Sequence, residues 1–305
     1  MSMDFNGRVA IVTGAGGGLG REHALALAAH GAKVMVNDFA RPAPGTTGEN
    51  AAEAVAQEIR AAGGVAMSCH ASVTDEVAMR AMVADVKAQW GRIDILVNNA
   101  GILRDQSFAK ISLSDFRLVL EVHLMGAVIC TQAVWEIMRA QKYGRVVMTT
   151  SSSGLFGNFG QSNYGAAKMA LVGLMQTLSI EGAKYDIRVN CLAPTAATQM
   201  TEGLWPEEVL KAFRPEFVSP AVLALAAEDA PNRTILCAGA GSFEAAHITM
   251  TKGVWVGYGA DAAEELHRRL AEVVDRTGSV APLSAEAQGV NEGTKALASL
   301  GHKHG

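Results

Sequence analysis

The stretch that decides the fold is Arg8-Val9-Ala10-Ile11-Val12-Thr13-Gly14-Ala15-Gly16-Gly17-Gly18-Leu19-Gly20. A short apolar run stops at a cluster of glycines, and residues 21–30 then read as a helix. Glycines let the chain turn tightly and bring its backbone close to a pyrophosphate. A helix that starts there adds free N–H groups and a partial positive charge. The spacing is G-x-x-x-G-x-G, on Gly14, Gly18 and Gly20. A tight connection also uses glycines, so the weight of the pattern comes from its place at the head of the first β–α unit.

Outward from this turn the alternation continues. Residues 33–38, 65–68, 93–98, 145–149, 187–192 and 235–238 are further strand-like runs, with Ala-rich helical stretches between them. Strands without polar alternation are buried on both faces, and β–α alternation implies parallel pairing. The reading is a single Rossmann-type α/β domain, a doubly wound parallel sheet, over residues 1–260. Residues 201–219, between the sixth and seventh strands, carry Leu204, Trp205, Phe213 and Phe217 and are expected to form a small lid. Residues 261–305 are expected to be a C-terminal helix followed by a loose tail. The helix covers 261–275, with Leu266, Leu270 and Val274 at four-residue steps, and the tail is rich in Gly, Ser and Ala.

Composition narrows the class. With 49% hydrophobic and 18% charged residues over 305 positions, the chain is too apolar to be disordered. A net charge of -4 argues against nucleic acid as the main partner. Cys69, Cys130, Cys191 and Cys237 lie far apart, in neither a disulfide framework nor a metal pattern. His302 and His304 read as solvated tail residues, and no metal site is expected. No signal peptide or membrane span is visible, so the expected setting is cytoplasmic.

Asp38 ends the second strand-like run. A carboxylate there can accept hydrogen bonds from the adenosine ribose hydroxyls. It would also repel a 2′-phosphate by roughly 4 kcal/mol at ~4 Å and an effective dielectric of ~20. NAD is therefore expected over NADP, although Arg21 and Arg41 lie close enough in sequence to leave NADP open. At the other end, Tyr164 and Lys168 stand four residues apart, one helical turn on one face. An ammonium near a phenol lowers its pKa from ~10 toward the range of an acid/base catalyst. The run Thr149-Thr150-Ser151-Ser152-Ser153 upstream closes a strand at the carboxyl edge of the sheet, where a serine can bond the reacting oxygen.

Taken together, these residues resemble the short-chain dehydrogenase/reductase family. The resemblance rests on T-G-x-x-x-G-x-G at 13–20, Asn98-Asn99-Ala100-Gly101, and Ser151, Tyr164 and Lys168, and it covers roughly residues 7–245. It implies that Tyr164 is the general acid/base, that Lys168 lowers its pKa and holds the nicotinamide ribose, and that Ser151 orients the carbonyl or hydroxyl. It also implies cofactor contacts at Gly14, Gly18, Leu19, Gly20, Asp38, Ser72, Val73, Asn99, Ala100, Gly101, Pro194 and Thr198. Within the family the chain bears a closer resemblance to the (3R)-hydroxyacyl-CoA dehydrogenase domain of peroxisomal multifunctional enzymes of type 2. That likeness runs through Val36-Asn37-Asp38, residues 98–105, 141–145 and 157–161.

His123 stands where many members carry a catalytic Asn, and is either a participant in proton transfer or a buried, hydrogen-bonded helix histidine. The implied activity is NAD-dependent interconversion of a secondary alcohol and a ketone, with an acyl-CoA substrate and a homodimeric or homotetrameric assembly. Steroid alcohol oxidation uses the same machinery. Reduction of 3-oxoacyl-carrier-protein is a further alternative that Asp38 argues against. A non-enzymatic dinucleotide sensor predicts loss of Ser151, Tyr164 or Lys168, and all three are present.

Overall fold

The computed structural model describes residues 3–40, 50–197 and 206–301. It divides into two compact units, Met1–Ala245 and Ala246–Gly305. The sequence expectation put the corresponding boundary at 260/261.

The first unit is an α/β sheet with flanking helices. In chain order its strands are β1 (Val9–Thr13), β2 (Lys33–Asn37), β3 (Val65–Cys69), β4 (Ile95–Asn98), β5 (Gly144–Thr149), β6 (Ile187–Thr195), β7 (Ile235–Gly239) and β8 (Ser242–Ala246). The sheet order is β3-β2-β1-β4-β5-β6-β7-β8. Every neighbouring pair from β3 to β7 is parallel. The expected doubly wound fold is thus present, and the runs read from the sequence correspond to β1 through β7. β8 was not anticipated. Ala240 and Gly241, at φ 50° and 75°, form the two-residue turn of a hairpin, so β8 folds back beside β7.

The middle strands are buried along their whole length, β1, β4 and β5 among them. Such strands have no wet face, which is why their sequences run apolar without alternation. The strand order reverses between β1 and β4. In open sheets of this kind, ligands bind in the crevice outside the carboxyl ends at that reversal.

The helices that carry the site are α1 (Gly18–Ala29), α2 (Ala51–Ala61), α3 (Glu76–Trp90), α4 (Leu113–Leu120), α5 (Gly126–Gln141), α6 (Ser152–Phe156) and α7 (Ser162–Gly182). A π-helical turn, Glu121–Met125, joins α4 to α5. The combined run Leu113–Gln141 is long and apolar enough to cross a membrane by composition. Within it, α5 packs one face on β4 and β5. After β6 come α8 (Glu207–Ala212), a 3₁₀ turn (Pro215–Phe217) and α9 (Ser219–Ala226). Of the expected lid, residues 201–205, with Leu204 and Trp205, lie outside the described residues. Phe213 and Phe217 are half-buried.

The second unit holds α10 (Ala262–Arg268), α11 (Leu270–Val273) and α12 (Glu286–Gly301). The single helix expected at 261–275 is therefore broken at Arg269. The expected loose tail is also corrected, because most of it is α12. Gly289 and Gly293 weaken a helical reading of that stretch. Its ends and middle are nevertheless compatible with a helix: Glu286 lies in the first turn, and Gln288 donates to Glu292 one turn on (2.8 Å). His302 and His304 lie outside the described residues.

Candidate active site

The glycine turn is shaped by close approaches that leave no room for side chains. A Cβ on Gly20 would stand 2.2 Å from the Gly14 carbonyl oxygen, and one on Gly14 2.6 Å from Ala100 Cα. Gly14 and Gly18 also have φ of 62° and 52°, in the left-handed region. No side chain caps the N-terminus of α1. Its first-turn N–H groups have no intrahelical acceptors and point out of the helix, as an anion site requires. Leu19 lies in that first turn, with its side chain packed on the core.

Asp38 follows β2 and is tied to this turn. Its carboxylate accepts from the Gly16 N–H (2.8 Å) and from the Ala40 N–H (2.7 Å). Asn99 closes the turn from the β4 side, donating to the carbonyl oxygens of Thr13 (3.1 Å) and Gly14 (3.0 Å). Thr13 Oγ1 in turn accepts from the N–H groups of Asn99 and Ala100. Ser72 and Val73 lie just beyond β3. Val73 is buried against Gly126, and Ser72 Oγ pairs with Thr74 Oγ1 (2.8 Å). Pro194 is half-buried at the end of β6. Thr198 and Arg41 lie outside the described residues. A bare backbone turn, an uncapped helix and a carboxylate on neighbouring strand ends fit a dinucleotide. Among the described residues no cluster of metal-ligating side chains occurs.

The reactive end is built on β5. Ser151 follows the strand and caps α6 through the Ser153 N–H (3.2 Å). Tyr164 and Lys168 lie one turn apart on α7, as their spacing predicts. Lys168 is buried, and its Nζ donates to the Thr149 carbonyl oxygen at 2.6 Å. Nζ stands 5.5 Å from the Tyr164 ring centre. Gly154 lets α6 and α7 meet, since a Cβ there would lie 2.8 Å from Lys168 Cβ.

The electrostatics differ from the sequence expectation in one respect. Burial raises the Tyr164 phenol above its ordinary value, opposed by a hydrogen bond with Ser151 and reinforced by Asp105. Burial also lowers Lys168, to about 7. The low-dielectric site favours the neutral form of each group, so Lys168 does not by itself pull the phenol down.

His123 sits in the π-helical turn, edge-on to Tyr164 with ring centres 5.2 Å apart. Its Nε2 accepts from the Ile102 N–H at 3.0 Å and also lies 2.8 Å from the Ile102 carbonyl oxygen. Burial, helped by the charge of Lys168, lowers its pKa to about 3, so the ring is neutral near pH 7. A Cβ on Gly101 would stand 2.2 Å from its Cε1, which explains a glycine at that position. A small cavity is lined by Thr13, Ala100, His123 and Lys168, residues drawn from both ends.

Several positioning residues were not singled out from the sequence. Gln161 donates to Asp105 (2.7 Å) and accepts from Ser153 (2.8 Å) and Asn158 (3.0 Å). Asn163, fully buried, donates to the Arg104 carbonyl oxygen (3.0 Å) and accepts from the Tyr164 N–H (2.8 Å). The likeness at 98–105 and 157–161 takes in Asp105 and Gln161 without giving them this role, and Asn163 lies just outside it.

A glycine turn at the β1/β4 reversal and a Ser-Tyr-Lys group on β5 and α7 define a class, and the comparisons agree. The chain belongs to the short chain dehydrogenase family, whose model matches residues 8–209. It is accordingly an alcohol/ketone oxidoreductase, of a family that uses nicotinamide dinucleotides.

Particular relatives refine the picture. A short-chain type dehydrogenase/reductase of Mycobacterium tuberculosis is 45% identical over 274 residues, covering 89% of this chain and 96% of that protein. Peroxisomal multifunctional enzyme type 2 of Drosophila melanogaster is 47% identical over 251 residues, covering 82% of this chain but 42% of that protein. The solved structure of that full-length enzyme matches at a TM-score of 0.81 and 37% identity, over 98% of this chain and 51% of the other. This chain thus spans about half the length of the multifunctional enzyme. A 7α-hydroxysteroid dehydrogenase complexed with NADH and 7-oxo glycochenodeoxycholic acid matches at a TM-score of 0.69 and 28% identity, over 78% of this chain and 95% of the other.

Proposed function

We propose that the chain is an NAD-dependent (3R)-hydroxyacyl-CoA dehydrogenase, interconverting the 3-hydroxy and 3-oxo thioesters. The observation that carries this reading is the grouping of Ser151, Tyr164 and Lys168 at the end of β5, on the edge that also bears the glycine turn. Likeness to the multifunctional enzyme supports the thioester and the chirality. Asp38, beside the Gly16 N–H, supports NAD, because a 2′-phosphate would meet its charge.

The dinucleotide, when bound, supplies the nicotinamide that accepts or returns a hydride. The chain's own residues manage position and proton. Ser151 and Tyr164 hold the substrate oxygen between two hydroxyls. In oxidation the Tyr164 phenolate takes the hydroxyl proton, and in reduction the phenol gives it back. Lys168, fixed by the Thr149 carbonyl oxygen, places a cation beside the ring when protonated and so stabilises the phenolate.

The assembly in this reading is a homodimer or homotetramer, supported by Met125, Met169 and Ile180, which leave apolar side chains exposed on the Glu121–Met125 turn and α7. The cytoplasmic setting is supported by four free cysteines. Peroxisomal relatives make the peroxisome the alternative.

The test is kinetic: (3R)- and (3S)-hydroxyacyl-CoAs and free hydroxysteroids, each with NAD and NADP. Preference for the (3R) thioester with NAD, by at least about tenfold, is expected. Turnover of free steroids alone would favour the second reading, a hydroxysteroid dehydrogenase, which the 7α-hydroxysteroid dehydrogenase likeness keeps in view.

A further inference from the structure

Beside the tyrosine, two segments distant in sequence are fastened into one wall. The Gln106 N–H donates to the Gly160 carbonyl oxygen (2.9 Å), and Gln106 forms a parallel bridge with Gln161. The Gln161 side chain then joins Asp105, Ser153 and Asn158. Asn163 fixes the Arg104 carbonyl oxygen from the other side and bonds the Tyr164 N–H. The wall is therefore anchored to the backbone of Tyr164 itself.

This wall carries three large apolar side chains that face solvent: Phe108, 76% exposed, Phe156, 73%, and Phe159, 91%. A single exposed apolar residue calls for no explanation, but three on one hydrogen-bonded assembly beside a reactive centre do. Phe156 ends the helix that Ser151 begins, and Phe108 and Phe159 each lie two residues from the Gln106–Gln161 bridge. Through Asn163 the wall is joined to the backbone beside Tyr164, so in the reading above it flanks a group attached to the reacting carbon. Its rim carries these three rings beside exposed polar residues such as Gln106 and Asn158, and the hydrogen bonds of Gln161 and Asn163 are spent on holding the loops together.

We infer that Phe108, Phe156 and Phe159 form the seat of the substrate's acyl chain, and that the enzyme selects long apolar chains over short ones. This rests on the hydroxyacyl reading above for the thioester, but the seat itself recognises only an extended hydrocarbon. Aromatic rings of this size offer enough area to bury several methylene groups.

The experiment compares kcat/KM for (3R)-hydroxybutyryl-, (3R)-hydroxydecanoyl- and (3R)-hydroxyhexadecanoyl-CoA, and in parallel for 2-butanol and 2-decanol. The wild type is expected to favour decanoyl over butyryl by at least about tenfold, as roughly two buried methylenes provide. In Phe108→Ser/Phe156→Ser/Phe159→Ser the ratio should fall toward unity, whatever the absolute rates, and Phe159→Ser alone should lower it part of the way. Val77→Ser, at an exposed position on α3, should leave the ratio unchanged. A wild-type ratio near unity, or a ratio that survives the triple substitution, overturns the seat. A shift in oligomeric state on sedimentation with the ratio intact would instead make the wall a subunit contact, and would also overturn it. Chain-length selection among the alcohols that the triple variant loses, without thioester turnover, would sink the acyl-CoA reading and leave the seat standing.

Discussion

At Tyr164, burial and hydrogen bonding act in opposite directions, and burial prevails. The phenol is the resting form near neutrality, ready to donate, while the phenolate needed for oxidation is the minor one. The kcat/KM for ketone reduction should therefore be nearly flat across neutral pH. That for alcohol oxidation should climb by up to about tenfold per pH unit on the alkaline side. A flat oxidation profile would remove the phenol from the proton step. Tyr164→Phe should lose at least the ~10²–10⁴-fold typical of general acid–base catalysis while NAD still binds, as a fluorescence titration would show. His123→Asn should keep substantial activity, since the ring is neutral and its observed task is to bond Ile102. A loss as deep as that of Tyr164→Phe would make it a direct participant. The Tyr164–Lys168 pairing is legible in the sequence because it is a matter of spacing along one helix. The pKa directions are not, because they depend on how far water is excluded, which is a property of the whole fold.

The glycine turn and its fasteners act as one element. Gly20→Ala would press a methyl against the Gly14 carbonyl oxygen, and that backbone atom has nowhere to retreat while Asn99 holds it. NAD affinity should fall by about tenfold or more, and the same clash should lower the thermal midpoint. Unchanged affinity would mean that the turn does not meet the pyrophosphate. Asp38→Ala should do two things: narrow the gap between NAD and NADP, and weaken both, because the Gly16 N–H loses its acceptor. Equal use of both cofactors by the wild type would end this reading of the carboxylate. Elements such as the β1 turn announce themselves through contiguous residues. The wall of Asp105, Gln161 and Asn163 does not, because its partners are more than fifty residues apart in the chain. β8 escaped notice for a different reason: Ala240-Gly241 is not one of the usual hairpin pairs, and the strand after it is mostly exposed.

Across the whole molecule, two histidines couple folding to pH. His23 is buried and bonds Ser219 Oγ (2.9 Å), tying α1 to α9, and burial lowers it from 6.5 to about 3. His123 is lowered to about 3 as well. The unfolded chain takes up these protons below about pH 6.5, whereas the folded chain refuses them until about pH 3. Stability is therefore full above pH 6.5 and declines as the pH falls, by about 1.4 kcal/mol per unit for each ring. Lys168 adds nothing in that window, because its lowered value of about 7 matters only from there upward. Urea midpoints at pH 6.5 and pH 5 should fall steeply for the wild type and about half as steeply for His23→Gln; an equal slope in both would refute the assignment. The doubly wound parallel architecture is legible as β–α alternation, since strands buried on both faces run apolar without alternation, whereas the strand order is set by packing between distant segments.

The π-helical turn at Glu121–Met125 has a consequence for what this chain can tolerate. Such a turn absorbs one residue more than an α turn, so between α4 and α5 the numbering steps ahead by one residue, about 100° of α-helix, while the buried face stays on the same side. Upstream of the offset, α4 buries Val119; within it, His123 reaches Ile102; downstream, α5 buries Cys130, Val134 and Met138. Removing Leu124 would make the rod smooth and keep Val119, His123 and Met138 on one side of it, yet it would draw α5 about 1.5 Å toward α4 and slide every side chain of α5 along the sheet it packs on. A shorter, tidier helix would be a worse one.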